Sequence, residues 1–226
     1  MTLTTTPLLV AVLGGCGFWL AARFALPPLA RLYERRAGLL SPVWHQHHLL
    51  DALAASLVVG AMLALPVPEA AALALVCFSL YAATRFDHAM QIIPDALQVI
   101  GCSGAVLWRW QVSGLTGTDG LWAAGLTGLA WATGLATCSY AYERWRGARA
   151  MGLGDVKLVA WLAIVPGIDP PLLLAGSFVA AWLWIIPRLA RRHLKIKETF
   201  AFGPCLALAA TIQIIGWLTG GPSWGL

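Results

Sequence analysis

Eight nearly unbroken apolar stretches, at about 7–29, 49–66, 69–86, 96–113, 120–141, 156–168, 170–190 and 200–218, are separated by short connections that hold most of the charge. A helix needs about 20 apolar residues to cross a ~30 Å hydrocarbon core. Inside lipid, a helix also satisfies its own backbone N–H and C=O groups. The pattern therefore predicts an all-α polytopic membrane protein of about eight transmembrane helices, forming a single membrane-embedded domain over 1–226. The run at 156–168 is the shortest and is open to a re-entrant reading. Charged residues make up 11% of the chain, against roughly 25% in soluble domains, which excludes an ordinary water-soluble fold. Helices in lipid associate through close packing of small residues, and the 23 glycines suit that requirement.

The loops predict an orientation. Arg31, Arg35 and Arg36, then Arg85, then Arg144, Arg146, Arg149 and Lys157, then Arg188, Arg191, Arg192, Lys195 and Lys197 fall in alternate connections, and only Arg109 lies near the other face. By the positive-inside rule these connections are cytoplasmic and both termini are on the non-cytoplasmic side. Arg23, near the cytoplasmic end of the first run, can snorkel to the interface. The net charge of +5 is thus accounted for by topology, and with no soluble basic domain the chain is not expected to bind nucleic acid. Two opposite connections, 65–69 and 166–171, are proline-rich and read as tight turns. Tryptophans near helix ends, Trp44, Trp108, Trp110, Trp145 and Trp224, read as an interfacial belt. The first run has no Lys or Arg before it and is long enough to span, so it is expected to be a retained helix. Cys16, Cys77, Cys102, Cys138 and Cys205 each stand alone in an apolar run, without the close pairing of a zinc or redox motif.

Ionisable groups at the edge of hydrocarbon are costly and mark functional sites by default. Asp87 closes the third apolar run and Asp155 precedes the sixth, both on the predicted cytoplasmic face. Each also has a plain structural reading: Asp155 as N-cap of a helix beginning at Val156, and Asp87 as an interfacial partner of Arg85. Asp95 reads as a structural cap, with Gln98 three residues on completing a capping box. Pro94 stops the third helix from running on into the fourth, so 87–93 is expected to form a cytoplasmic hairpin that aims Asp87 inward. Gly152 and Gly154 have two compatible jobs, a tight turn or an open approach for an extended substrate backbone. Ala201-Phe202-Gly203-Pro204-Cys205 opens the last run.

Asp87 with Ile93-Pro94-Asp95, then Gly152-Leu153-Gly154-Asp155-Val156-Lys157-Leu158, then Phe202-Gly203-Pro204, in that order, resemble the type IV prepilin leader peptidases, membrane aspartyl proteases of the Gly-x-Gly-Asp kind. The likeness runs from about residue 50 onward, and the Gly-x-Gly-Asp-x-Lys-Leu block is its most specific part. It implies Asp87 and Asp155 as the catalytic pair, with Asp95 outside it. Pro94, Gly152, Gly154, Lys157, Phe202, Gly203 and Pro204 would then shape the loops or bind substrate. The substrate implied is a prepilin or pseudopilin whose short basic leader is cut at the cytoplasmic face of a bacterial inner membrane. Two departures stand out. Ala89 occupies a position that often carries an acid, and the 31–48 connection is short and basic, without the Cys-x-x-Cys pairs that build a zinc domain in long members. The resemblance therefore implies a short-form peptidase without N-methyltransferase activity, needing no metal or cofactor. His45, His47 and His48 in that connection read as a solvated loop.

Two carboxylates held close share one proton and titrate as a pair. One can then take a proton from water while the other donates to the scissile carbonyl, and sequence leaves open which is which. Lys157 reads either as a tuning charge for the pair or as a snorkelling lysine. The competing readings are a carboxylate-relay transporter, whose site would lie near mid-membrane in a repeated fold, and a non-enzymatic membrane scaffold. No internal repeat is visible, and both acids lie at one rim.

Overall fold

A computed structural model of the chain describes residues 65–147, 151–190 and 201–220, with side chains to 187 in the second segment. The apolar run 7–29, nearly all of 49–66, and the 31–48 connection with its histidines lie outside the described residues. So do Cys16, Arg23, Trp44, Arg149, Trp224 and the basic residues of 191–197. The described residues form six α-helices and no strand: α1 Val67–Met90, α2 Asp95–Ser113, α3 Leu121–Arg146, α4 Leu153–Leu162, α5 Pro170–Ala190 and α6 Gly203–Leu218. Val67–Met90, Leu121–Arg146 and Pro170–Pro187 are long and apolar enough to cross a membrane.

The proline connection ahead of α1 supplies its start, with Pro66 at the N-cap and Glu69 in the first turn. An Ala- and Leu-rich run then sustains the helix. The run read as a hairpin from Asp87 is in fact helical to Met90. The connection to α2 is only 91–94, and it opens with Gln91 in the left-handed conformation (φ 54°), its N–H donating to Asp87 O at 2.9 Å. Asp87 therefore sits in the last turn of α1. Rigid helix geometry aims it inward.

The sixth apolar run, expected to be the shortest and open to a re-entrant reading, is not one continuous helix. Its helix, α4, has 10 residues and at 1.5 Å per residue is about 15 Å long, roughly half a bilayer core. The remainder of the run, 163–168, is not helical and turns through Gly167 at φ 76°. Val165 and Ile168 are nonetheless buried there. Arg109 of α2 donates from Nε to Ile164 O at 2.8 Å and from Nη2 to Val165 O at 3.4 Å, covering carbonyls that the short helix leaves without an intrahelical donor.

The core sits where α1, α2, α4 and α6 meet, around Leu73, Val76, Leu158, Leu162, Leu206 and Ile214. Close backbone approach replaces hydrophobic force as the means of association. A Cβ on Gly104 would stand 2.8 Å from Ala72 O, and one on Gly128 would collide with Ala160 O. Trp108, read as an interfacial anchor, is instead fully buried and meets Trp217 edge-on at 5.5 Å. Trp145, 78% exposed, does sit at a helix end, with the Arg146 guanidinium 5.1 Å from its ring centre. α3 is the peripheral helix, burying Ala124 and Gly128 and presenting Trp122, Leu126 and Leu129 outward.

Candidate active site

Asp87 is 6% exposed despite its charge. Its Oδ2 accepts a 2.7 Å hydrogen bond from the backbone N–H of Gly203, 116 residues away in sequence. That donor is free because it lies at the start of α6, where the first N–H groups have no intrahelical acceptor. Phe202 fixes the approach, packing its ring 5.4 Å from that of Phe178 on α5, and Pro204 occupies the first turn of α6, where its missing N–H costs nothing. A Cβ at 203 would stand 2.8 Å from Asp87 Oδ2, so a side chain there would have to push the carboxylate off this bond. Phe202-Gly203-Pro204 thus serves as the holder of one carboxylate.

The second carboxylate enters through the turn 151–154. The helix begins at Leu153, with Gly152 at the N-cap. Asp155 is therefore the third helical residue and does not cap a helix starting at Val156. Gly152 has φ −70° and ψ 146°, a conformation open to any residue, so the turn's dihedral angles do not require glycine here. Space is tight instead: a Cβ on Gly152 would lie 3.3 Å from Asp155 Oδ2 and one on Gly154 3.3 Å from Ile93 Cβ, so either would press on its neighbour. The turn is pinned at both ends. Ser139 of α3 donates to Met151 O and accepts from Met151 N at 3.2 and 3.3 Å, while Gln98 of α2 donates to Gly154 O at 2.9 Å.

Asp87 and Asp155, far apart in sequence, are brought close enough to interact through charge. Burial, then the neighbouring Asp87 carboxylate, pushes the Asp155 carboxyl up to about 7, with the Gly152 backbone N–H offsetting part of the rise. Asp155 Oδ1 is buried and has no hydrogen-bond partner among the described residues. A buried carboxylate oxygen left without a donor is costly, and a proton on the carboxyl relieves that cost. The arrangement can hold a proton near neutral pH beside a second acid, the electrostatic requirement of acid–base chemistry.

No family model, curated protein or solved structure matches the chain.

Asp95 and Lys157 are not brought into this pair. Asp95 opens α2 as its first residue but makes no side-chain cap, the N-cap being Pro94. Its carboxylate instead meets Lys157 Nζ at 2.6 Å in an exposed ion pair. The capping box fails for the same reason, because Gln98 turns away from the helix start towards Gly154 and Trp161. Pro94 is buried beside Ile93, whose side chain abuts Gly154, so the connection before α2 touches the turn before α4. Sequence reading missed Ser79, Ser139 and Trp161 and misread Gln98. The available signal was polarity within apolar runs, which marks a group that must find a buried partner.

Proposed function

We propose that this chain is a membrane aspartyl endopeptidase that removes the short basic leader of a type IV prepilin or pseudopilin at the cytoplasmic face. The observation that carries the reading is a pair of acids at two helix ends, Asp87 buried with its Oδ2 on the Gly203 N–H and Asp155 with its buried Oδ1 unpartnered among the described residues, near enough for the Asp87 charge to help raise Asp155. Asp155 is the member that holds the shared proton. Asp87, its Oδ2 held by Gly203 N–H, takes a proton from a water poised between the two. That water attacks the scissile carbonyl and Asp155 donates to the developing oxyanion. Neither a covalent intermediate nor a metal enters the scheme.

The same proposal includes eight spans with both termini outside the cytoplasm, in a bacterial inner membrane. A basic leader then reaches the acids from the cytoplasm, while the pilin's apolar helix stays in lipid. Ile92 and Leu153, exposed on either side of the contact between Ile93 and Gly154, offer apolar contact to that helix. Gly152, exposed at the turn, lets an extended backbone approach without a side chain between.

Co-expression with candidate prepilins, read by the mobility shift on leader removal, tests the reading. Asp87→Asn and Asp155→Asn each lower cleavage by about 10²-fold or more with the protein still in the membrane. Asp95→Asn stays within a few-fold of wild type. Cleavage at wild-type rate by either of the first two overturns the dyad. Mass spectrometry of the new N-terminus is expected to show an unmethylated residue.

A further inference from the structure

We infer that Gln98 is a positioning residue for Asp155, acting through the Gly154 carbonyl that its side-chain amide holds. The inference rests on the peptidase reading for its kinetic consequence, though not for its geometry. Gln98 is 7% exposed on α2. Its Nε2 donates to Gly154 O at 2.9 Å, and its Oε1 accepts from Trp161 Nε1 at 2.7 Å. An indole N–H can only donate, so Trp161 fixes which end of the amide is oxygen and thereby commits the NH2 group to Gly154. The amide has one orientation.

The Gly154 carbonyl does not need this bond for satisfaction, because within α4 it is already the acceptor for the N–H four residues on. Gln98 supplies a second, external bond on the remaining lone pair, at the peptide unit that leads directly into Asp155. The neighbouring residue of α2 reaches the other carboxylate's helix: Ser79 Oγ of α1 donates to Leu97 O at 2.6 Å. One turn on, a Cβ at Gly101 would stand 2.6 Å from both Ser79 Oγ and Trp161 Cζ2. α2 is therefore seated between the helix of Asp87 and the helix of Asp155, and Gln98 is where that seat grips the Asp155 backbone. Displacing a reacting group by about 1 Å can cost about 10²-fold in rate, so a grip one residue from the carboxylate is well placed to matter.

The test uses the full-length protein in lipid nanodiscs with a prepilin substrate. Gln98→Glu keeps the oxygen that Trp161 requires and loses the donor to Gly154. At neutral pH kcat is expected to fall roughly tenfold or more with KM within about twofold. The ratio of variant to wild-type kcat then rises as pH is lowered, because the introduced carboxyl, once protonated, can donate to Gly154 O again. Gln98→Leu removes the same donor and adds no titrating group, so the acid recovery of Gln98→Glu is read against the Gln98→Leu ratio at each pH. Gln98→Leu shows the same loss without acid recovery. Trp161→Phe, which leaves the donor to Gly154 in place but removes the indole N–H that orients the amide, shows a smaller one, read beside its Tm because Trp161 is also a core side chain. A Gln98→Glu or Gln98→Leu kcat within twofold of wild type at neutral pH overturns the inference, as does a Gln98→Glu loss that is equal at every pH and tracks a fall in Tm.

A wild-type protein that cleaves nothing refutes the peptidase reading alone. The inference is then read from the infrared carboxyl band of Asp155, assigned by its disappearance in Asp155→Asn. The titration midpoint of that band is expected to shift by about half a unit or more in Gln98→Leu, and an unchanged midpoint overturns the inference.

Discussion

The Asp87 carboxylate depends on an atom that Gly203 lacks. With a Cβ only 2.8 Å from Oδ2, Gly203→Ala forces the carboxylate off the backbone N–H that holds it. Cleavage is expected to fall about tenfold or more while Tm stays within a few degrees, measured by thermal melts beside the activity assay. Asp155 leads to a different prediction. Its pKa in the folded protein is about 7, against roughly 3.9 in an unfolded chain, so between those values the folded protein holds a proton that the unfolded chain has released. The stability from that proton is fully present below the unfolded value and is lost as pH rises to about 7. Melts at about pH 5 and pH 8 should show wild-type Tm dropping more than that of Asp155→Asn; equal drops would remove the raised carboxyl from the account. Both acids stood out in the sequence as candidates because charge beside hydrocarbon is costly. Their local settings were not, since whether Asp155 or Asp95 caps a helix depends on where that helix begins. Gln98 was assigned a partner three residues away because spacing reveals only local partners, and its carbonyl partner is 56 residues away.

α4 is held as an element by its neighbours rather than by its length. Isolated helices of ten residues are marginal even with favourable composition, and this one has Gly128 of α3 lying against Ala160 O. Gly128→Val prises the two helices apart and is expected to cost about 1–3 kcal/mol, read as a lowered Tm in detergent. The exposed ion pair of Lys157 with Asp95 also joins α2 to α4, but solvated pairs contribute about 0–1 kcal/mol. Lys157→Ala should therefore leave Tm and cleavage nearly unchanged, and a tenfold loss of cleavage would instead assign the lysine to the carboxylate pair. The existence of the helices was legible from apolar run length, whereas the extent of α4 was not. Val165 and Ile168 prolong the apolar run beyond the helix because hydrophobicity reports burial, and these turns are buried too. Trp108 was misplaced for a related reason: position near a helix end does not reveal whether a neighbouring helix covers it, and Trp217 does.

At the scale of the molecule, three helices among the described residues, α1, α3 and most of α5, are long and apolar enough to cross a membrane, and α1, α2, α4 and α6 pack together in the core. The membrane class was readable from composition, because a chain this apolar has no other solvent. The meeting of Asp87 with Asp155 was readable only as a resemblance, since it depends on Gly203, Ile93 and Gln98 contacts that no spacing reveals. The most direct measurement is chemical cross-linking in native membranes of the double variant Asp87→Cys, Asp155→Cys, with the other cysteines replaced by serine. A short bifunctional thiol reagent is expected to join the two positions within one chain, so that fragments cut between them stay together until the link is cleaved. No link, although each single thiol reacts with the monofunctional reagent, would contradict the carboxylate pair on which the whole account stands.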